Sequence, residues 1–452
     1  MKKLAYTILI SAGLAVTVCA QEKVWTLDNC MRYAVENSPK SRQQRYTNDT
    51  YKAEYQSAIA SLFPSVGTSV GAAYNWGRSI DPETNTYSNT STFNNAYSVS
   101  ASLPVFDGGV LINTLRSARV NRSIGLQEKR KTEDDIALNT MQAFIDVLYY
   151  QGMVKLAGEK LAESNRALYK VRRQEELGQK SKADVSQLDA QVAADDYNLT
   201  HQQNLHQTAL LSLKNYMNLP ADQTIEVDTV IREVEELLVP ESVDAIYAQA
   251  AETNPTAVKA ALDLKQARLQ HLIYKGYSFP TISLSAGIST NYFRMLSGES
   301  EAPVFKDQFK NNRGEYLSFT LNIPLFDGLY RRTNVRRARN QVRIAQEMQT
   351  ETLRQLQTAV EQAVLDRDGF AKEVIQMDKQ VKANELAYQI TYRKFEEGVM
   401  SSLDLQTSAN TLLLSQANLL QRRLMYLVKC KLVDYYKGLP LIEPVNENKN
   451  VN

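Results

Sequence analysis

The residue types that usually carry chemistry are few and poorly spaced in this chain. Of its three histidines, His201 and His206 are five residues apart and do not share one helix face, as a pair of metal ligands would. Neighbouring carboxylates, such as Asp134 with Asp135 and Asp195 with Asp196, lie in long polar stretches, which favours solvated helix faces over acid–base catalysis. The sequence has no nucleophile elbow, phosphate loop or Cys/His metal spacing, so we expect no enzyme activity, no cofactor and no metal site.

One short stretch occurs twice and organises the elements around it. Leu-Pro-Val-Phe-Asp-Gly-Gly at 103–109 returns as Ile-Pro-Leu-Phe-Asp-Gly-Leu at 323–329, an offset of 220 (323 minus 103). Proline suits the end of a strand, Asp is a good helix N-cap, and glycine allows a change of direction. Each copy therefore predicts a strand-to-helix junction, carried by Pro104, Phe106, Asp107 and Gly108 and by Pro324, Phe326, Asp327 and Gly328.

The flanking residues repeat as well. Gly178 and Asp184 pair with Gly398 and Asp404 at the same offset, and Phe63-Pro64 pairs with Phe279-Pro280 at an offset of 216. We interpret the chain as a tandem duplication, with repeat 1 at 21–220 and repeat 2 at 241–440. Residues 221–240 are an equatorial segment between them, with a small strand at 225–228 and a short helix at 230–238.

Each repeat is predicted to hold a hairpin of two strands, at 64–105 and at 280–325. Val66, Val70, Tyr74 and Trp76 alternate with Ser, Gly and Asn, and the other three strands alternate in the same way. The residues between the strands, 77–92 and about 293–314, are predicted to be loops. A soluble sandwich would also alternate, but it would need more than four strands, whereas an apolar outside with a polar inside suits a membrane β-barrel.

The rest of each repeat is predicted to be helical. A helix fills 24–62 and kinks near Pro39, and proline-free runs at 110–177 and 330–397 predict helices roughly 100 Å long. Glycines at 178 and 398 end these long helices, and return helices follow at 182–216 and 402–436. Residues 1–20 are typical of a secretory signal peptide, with lipidation of Cys19 as the alternative, and the tail at 441–452 is predicted to be disordered.

Four strands cannot close a barrel, and an open edge in lipid leaves backbone groups unpaired. The chain must therefore pool strands with copies of itself: two copies give eight strands, and three give about twelve, wide enough for a lumen. Helices attached to the same end of the strands would continue the barrel as a coiled-coil cylinder. Such a tube is a duct that spans a periplasm.

With these features the chain resembles the TolC family of outer-membrane efflux and secretion channels. The resemblance rests on the two junctions, on the opening Trp-Thr-Leu-Asp-Asn-Cys at 25–30, and on the helix-turn motifs at 178–185 and 398–405, and it covers about 24 to 440. It implies a homotrimer with a 12-stranded β-barrel in the outer membrane of a Gram-negative bacterium and an α-helical tunnel in the periplasm. It also implies a passive duct, joined through a periplasmic adaptor protein to an inner-membrane pump of the RND, ABC or MFS class.

The resemblance assigns roles to the two helical turns. Gly178, Ser181, Gly398 and Ser401 match the tip motif at which the adaptor docks. Asp404 and Asp184 follow the motif and are candidates for a ring of carboxylates at the tunnel entrance, where negative charge would favour cations. The alternative for each is an ordinary first-turn residue stabilised by the helix dipole. Thr407 replaces a second acid that some members have.

Arginine clusters follow both junctions. We favour a solvated helix face for them, and the alternative is a position below the bilayer against lipid phosphates or the tunnel lining. Without Lys2 and Lys3 the formal charge falls from +2 to 0, which argues against nucleic-acid binding. A structural coiled-coil protein of the cell surface is the alternative function, and the Ser- and Gly-rich strand faces argue against it. The cluster residues are Arg116, Arg119 and Arg122, and Arg331, Arg332, Arg336, Arg337, Arg339 and Arg343.

Overall fold

A computed structural model describes residues 24–80, 85–220, 222–228, 240–296 and 304–442. The predicted signal peptide, the predicted helix at 230–238 and most of the predicted disordered tail lie outside these ranges. Within them the chain forms nine helices and four strands. In chain order these are α1 Leu27–Asn37, α2 Pro39–Ala60, β1 Ser65–Ile80, β2 Tyr87–Phe106, α3 Val110–Glu176, α4 Lys182–Met217, α5 Val243–Thr253, α6 Pro255–Gly276, β3 Thr281–Met295, α7 Phe305–Asn311, β4 Gly314–Asn322, α8 Tyr330–Glu396 and α9 Ser402–Tyr436.

Proline sets the break near the start of each half. The predicted helix at 24–62 is two helices, because Ser38 is extended (ψ 130°) before Pro39 and its hydroxyl accepts from the Lys40 amide at 3.2 Å. Asn254 does the same before Pro255, with its side chain accepting from the Thr256 amide at 2.9 Å. The chain therefore begins both halves with a short helix, a turn and a 22-residue helix.

The four strands form one antiparallel sheet in the order β1-β2-β3-β4. Its register aligns side chains of one type across all four strands, so that the row Val66, Ala101, Ala286 and Leu317 is apolar. The neighbouring row, on the opposite face, is Ser65, Ser102, Ser285 and Ser318. The sheet thus has one apolar and one polar face, because side chains alternate along every strand.

The hairpins differ from the predicted ones in their far ends. β1 runs to Ile80 and β2 starts at Tyr87, so much of the predicted polar loop at 77–92 is strand. In the second hairpin β3 is 15 residues long and β4 is 9, and the predicted loop between them contains α7. Backbone pairing with the partner strand extends β1 and β2 into sequence whose Ser, Asn and Thr content suggests a loop.

Apolar clusters between the helices form the core. The cluster around Phe144, Leu213 and Met217 includes Trp25, whose amide donates to the Glu226 carbonyl at 2.8 Å. The predicted strand at 225–228 is accordingly a single parallel bridge between Trp25 and Val227.

The start of the predicted disordered tail is part of this core. Leu441 is 5% exposed and packs with Met31, Ala137 and Met141. Its burial is a correction to the sequence prediction at that position. No helix within the described ranges is both long and apolar enough to cross a membrane.

Candidate functional site

Two matching turns end the long helices. Gly178 follows α3 with φ 72°, and Gly398 follows α8 with φ 75°, the left-handed conformation that glycine adopts without strain. The Gly178 amide donates to the Glu175 carbonyl at 2.8 Å, and the Gly398 amide donates to the Phe395 carbonyl at 3.1 Å. These bonds satisfy the last carbonyls of each helix and return the chain antiparallel.

A capping box starts each return helix. The Asp184 amide donates to the Ser181 hydroxyl at 3.2 Å, and the Ser181 amide donates to the Asp184 carboxylate at 3.1 Å. Ser401 and Asp404 repeat this arrangement at 3.2 and 3.0 Å. Hydrogen bonds from the serine hydroxyl and amide hold the pKa of each carboxyl below its ordinary value. Both carboxylates are therefore charged helix caps, which is the alternative that the sequence left open.

The fold brings the two turns together. Leu188 and Val171, next to the first turn, pack with Phe395 and Leu405, next to the second. The Lys180 ammonium lies 5.5 Å from the centre of the Phe395 ring. We define the tip as residues 177–185 and 397–405.

A buried polar cluster behind the tip was missed by the sequence reasoning. Asp195 is 6% exposed, accepts from the Ser164 hydroxyl at 2.5 Å and from the Gln191 amide at 2.7 Å, and lies 3.9 Å from the Lys160 ammonium. Burial lowers the pKa of Lys160, which also donates to Asn410 on α9. The prediction of a solvated face at Asp195 is therefore wrong. The signal that could have found it is a Ser and a Lys four residues apart on the facing helix.

A second carboxylate that the sequence assigned to a solvated face, Asp134, lies in a cavity of about 530 Å³. Its carboxylate accepts from the Tyr435 hydroxyl at 3.0 Å, and that hydroxyl accepts from Asn254 at 3.3 Å. Burial raises the pKa of Asp134 to about 6. This carboxylate joins α3, α6 and α9 and is a second correction to the sequence prediction.

The junction residues adopt one local geometry in both copies. The N-caps are Gly109 and Leu329, not the predicted Asp107 and Asp327, and both have a left-handed backbone with φ 82° and 68°. The aspartates act from two residues earlier. Asp107 accepts from the Gly109 and Leu111 amides at 3.0 and 2.6 Å, and Asp327 accepts from the Arg331 amide at 3.0 Å.

The prolines and phenylalanines of the junctions mark the strand ends. Pro104 pairs with Ser283 beside an irregularity in the ladder, and Phe106 is the last residue of β2. Pro324 and Phe326 follow the end of β4, and Phe326 is 81% exposed.

The surroundings of the two junctions differ. A methyl group added at Gly108 would lie 2.3 Å from the Gly276 carbonyl oxygen and 2.9 Å from the Phe279 side chain, at the end of α6. Gly328 has no described atom within 4 Å of the same position, and Leu325 beside it is 92% exposed. The first junction is packed within the chain, and the second presents an apolar surface.

Two curated relatives come from Pseudomonas putida. The chain is 23% identical over 458 residues to the probable efflux pump outer membrane protein TtgC of strain KT2440, which covers 93% of this chain and 86% of TtgC. The match to the antibiotic efflux pump outer membrane protein ArpC has the same identity and coverage.

Solved structures match the fold over nearly the whole chain. The outer membrane protein VceC from Vibrio cholerae superposes with a TM-score of 0.78 at 17% identity, over 92% of this chain and 97% of VceC. The outer membrane channel CmeC of Campylobacter jejuni gives 0.75 at 14% identity, over 92% and 87%. The similarity in fold extends from the sheet to the tip.

The family model for outer membrane efflux proteins matches residues 31–219 and 246–429. The predicted resemblance to TolC-like channels is thereby confirmed, together with the predicted outer-membrane location and efflux function. The relatives are channel proteins rather than enzymes, and the alternative of a surface coiled coil is not supported. This chain belongs to the outer membrane efflux protein family.

Proposed function

We propose that three copies of the chain form a channel-tunnel that serves as a passive exit duct. The three sheets join into a twelve-stranded barrel in the outer membrane, and α3, α4, α8 and α9 extend from it as a helical tunnel in the periplasm. The observation that carries this proposal is the two-faced sheet. Its β1 and β4 have free edges, and in lipid those edges need strand partners from other copies.

The helices support the same assembly. Within the chain, Leu262 of α6 packs against the cluster of Val120 and Ile124 on α3. At the offsets of the two halves, Leu262 corresponds to Tyr46 on α2, and Ile124 corresponds to Ile344 on α8. These counterparts are 67% and 50% exposed. An α2 from one copy on the α8 of the next would bury both and repeat the α3–α6 packing.

The tip is the proposed contact for a periplasmic adaptor protein, which links the duct to an inner-membrane pump of the RND, ABC or MFS class. Gly178, Ser181, Gly398 and Ser401 hold the exposed turns in one defined shape, which suits a docking surface. Asp404 is the proposed member of an acidic ring at the entrance, and Asp184 is the second candidate. The capping geometry fixes each carboxylate at the helix start, so threefold symmetry would place three charges around an axis.

Substrate choice belongs to the pump in this scheme. The names of the relatives refer to antibiotic and toluene efflux, which supports small organic compounds as the cargo in preference to proteins. The duct itself needs no energy source, no cofactor and no metal ion.

Single-channel conductance of the purified protein in planar bilayers tests the proposal. We expect a small cation-selective conductance and a change of conductance in Asp404→Ala. Asp184→Ala is the matched control, since it removes an identical capping box and therefore reports the effect of lost capping alone. A folded oligomer that never inserts and conducts would overturn the channel. Equal effects of the two substitutions would remove the acidic ring at Asp404 and leave the duct.

A further inference from the structure

The free edge of β3 is covered by a helix where β4 stops. β4 pairs with β3 over residues 281–289, and β3 continues to Met295. Alongside this extension the Gln308 side chain of α7 acts as a short strand: its oxygen accepts from the Phe293 amide and its nitrogen donates to the Phe293 carbonyl, both at 2.9 Å. The Asn312 amide nitrogen donates to the Asn291 carbonyl at 2.8 Å. α7 therefore occupies the position of a missing upper half of β4.

Aromatic rings hold α7 at this edge. Phe309 lies 5.3 Å from the ring of Tyr97, and Phe305 lies 5.3 Å from the ring of Tyr292. Tyr97 and Tyr292 belong to the apolar face of the sheet, since they share its register parity with Val99 and Ile288. Phe305 and Phe309 remain 46% and 42% exposed, so α7 extends the apolar face outward beyond the edge of β3.

The two edges of the sheet are unequal in length. β1 has 16 residues and β4 has 9, so pairing of β4 with the β1 of a next copy leaves at least seven β1 residues (16 minus 9) without a strand partner. The strand ends at Ser65 and Asn322 both lie on the helix side of the sheet, so the excess lies at the far end, at residues 74–80. There Tyr74 and Trp76 stack at 5.9 Å and are 56% and 73% exposed. A bare edge of that length in a barrel wall leaves backbone groups unpaired.

We propose that α7 binds residues 74–80 of β1 in the next copy of the chain, so that a helix closes the barrel wall where strand pairing ends. This inference rests on the proposed trimeric barrel. Phe305 and Phe309 contact the neighbour's Tyr74 and Trp76 and make the aromatic surface continuous across the boundary. Lys306 and Lys310 lie on the side of α7 opposite Gln308, at 100° per residue, and donate to the carbonyls of the β1 edge.

Cysteine pairs test this contact. Asn75→Cys with Lys310→Cys reports the proposed contact, and Thr68→Cys with Leu317→Cys is the matched pair for closure of β1 on β4. Both pairs are treated in detergent-solubilised protein with a short bis-maleimide, with each single-cysteine variant as a background for Cys30 and Cys430. We expect both pairs to give covalent dimers and trimers on denaturing gels.

The two pairs separate the possible failures. Cross-linking of the Thr68–Leu317 pair without the Asn75–Lys310 pair would leave the barrel standing and overturn the role of α7. Absence of both products would overturn barrel closure and, with it, the contact of α7. As a second variant, Gln308→Ala releases α7 from β3 and should lower the yield of the Asn75–Lys310 product severalfold while the Thr68–Leu317 yield is unchanged. An unchanged Asn75–Lys310 yield in this variant would contradict the proposal.

Discussion

The two junctions share a backbone and differ in what surrounds them. Both turn from strand to helix through a left-handed glycine at 108 or 328, and in both an aspartate accepts from amides of the first helical turn. Gly108 is pressed against Gly276 at the end of α6, whereas Gly328 is open. The comparison separates what local sequence determines from what a packing partner adds.

The position of Gly276 suggests which partner the second junction lacks. At the offset of 216, Gly276 corresponds to Ala60 at the end of α2, and Phe279 corresponds to Phe63, which is 65% exposed. Under the proposed assembly, the α2 end of the next copy packs on Gly328 as the α6 end packs on Gly108. The difference between the junctions is then a difference between contacts within a chain and contacts between chains.

The largest effect is expected from alanine at the two glycines. Gly108→Ala forces a methyl group to 2.3 Å from a backbone oxygen at φ 71°, so we expect a loss of about 3 kcal/mol in the free energy of unfolding. Gly328→Ala pays for the left-handed backbone and should cost about 1 kcal/mol in a single chain. Thermal unfolding of dilute, monomeric protein in detergent measures both.

Assembly sharpens this comparison. In trimers the cost of Gly328→Ala should rise towards that of Gly108→Ala, because the next copy now fills the space. A cost that is the same in monomers and trimers would remove α2 as the partner of the second junction.

Asp134 tests a tertiary contact through pH. Burial raises its pKa to about 6, so the folded state favours the neutral form, and its contribution to stability is lost as pH rises from about 4 to about 6. We expect Asp134→Asn to stabilise the protein near pH 7 by about 1–2 kcal/mol after allowance for solvent screening, and to be neutral below about pH 4. Thermal melts across this range measure the difference. A constant offset between the two proteins at all pH values would contradict the burial of a charge.

The capping serines test local structure. Ser181→Ala removes a hydrogen bond to the amide of residue 184 and should destabilise the protein by about 1 kcal/mol. Ser401→Ala should have the same effect, since the two capping boxes agree in geometry. Amide hydrogen exchange at the starts of α4 and α9 measures the two losses separately. Unequal losses would show that the surroundings of the turns matter as much as they do at the junctions.

The smallest effects are expected at the N-caps. Gly109→Ala should cost about 1 kcal/mol from the left-handed backbone, because the nearest atom to the added methyl is 3.8 Å away. Leu329→Gly should gain about 0.5 kcal/mol, since relief of the backbone outweighs the greater entropy of the unfolded glycine. Thermal unfolding of the two variants measures both values. A loss in Leu329→Gly would show that the Leu329 side chain makes contacts that the single chain does not contain.

Local patterns predicted the elements whose causes are local. Proline-free runs bounded by Gly178 and Gly398 define α3 and α8 to within a residue, and alternation locates the near halves of all four strands. The aspartate candidates at the tip were identified as possible caps because Ser-x-x-Asp is a local motif.

The misses have distant causes. Asp195 is buried by Ser164, 31 residues away, and by Lys160, so its own polar neighbours gave the wrong prediction. The far ends of β1 and β2 are strands because each supplies the other's hydrogen bonds. α7 is held by Tyr97 and Tyr292, and its seven residues are too few for a helical period to emerge.

The exposed apolar surface at Leu325 and Phe326 has a consequence for biogenesis. The contact of Gly108 with α6 forms inside one chain, so its rate is independent of protein concentration, whereas burial of Leu325 and Phe326 by another copy is a second-order step. Between the two steps the newly exported chain presents unprotected apolar side chains. Slow synthesis therefore lengthens the period during which proteases and aggregation compete with assembly, and the second junction sets the lower limit on the concentration at which the protein matures.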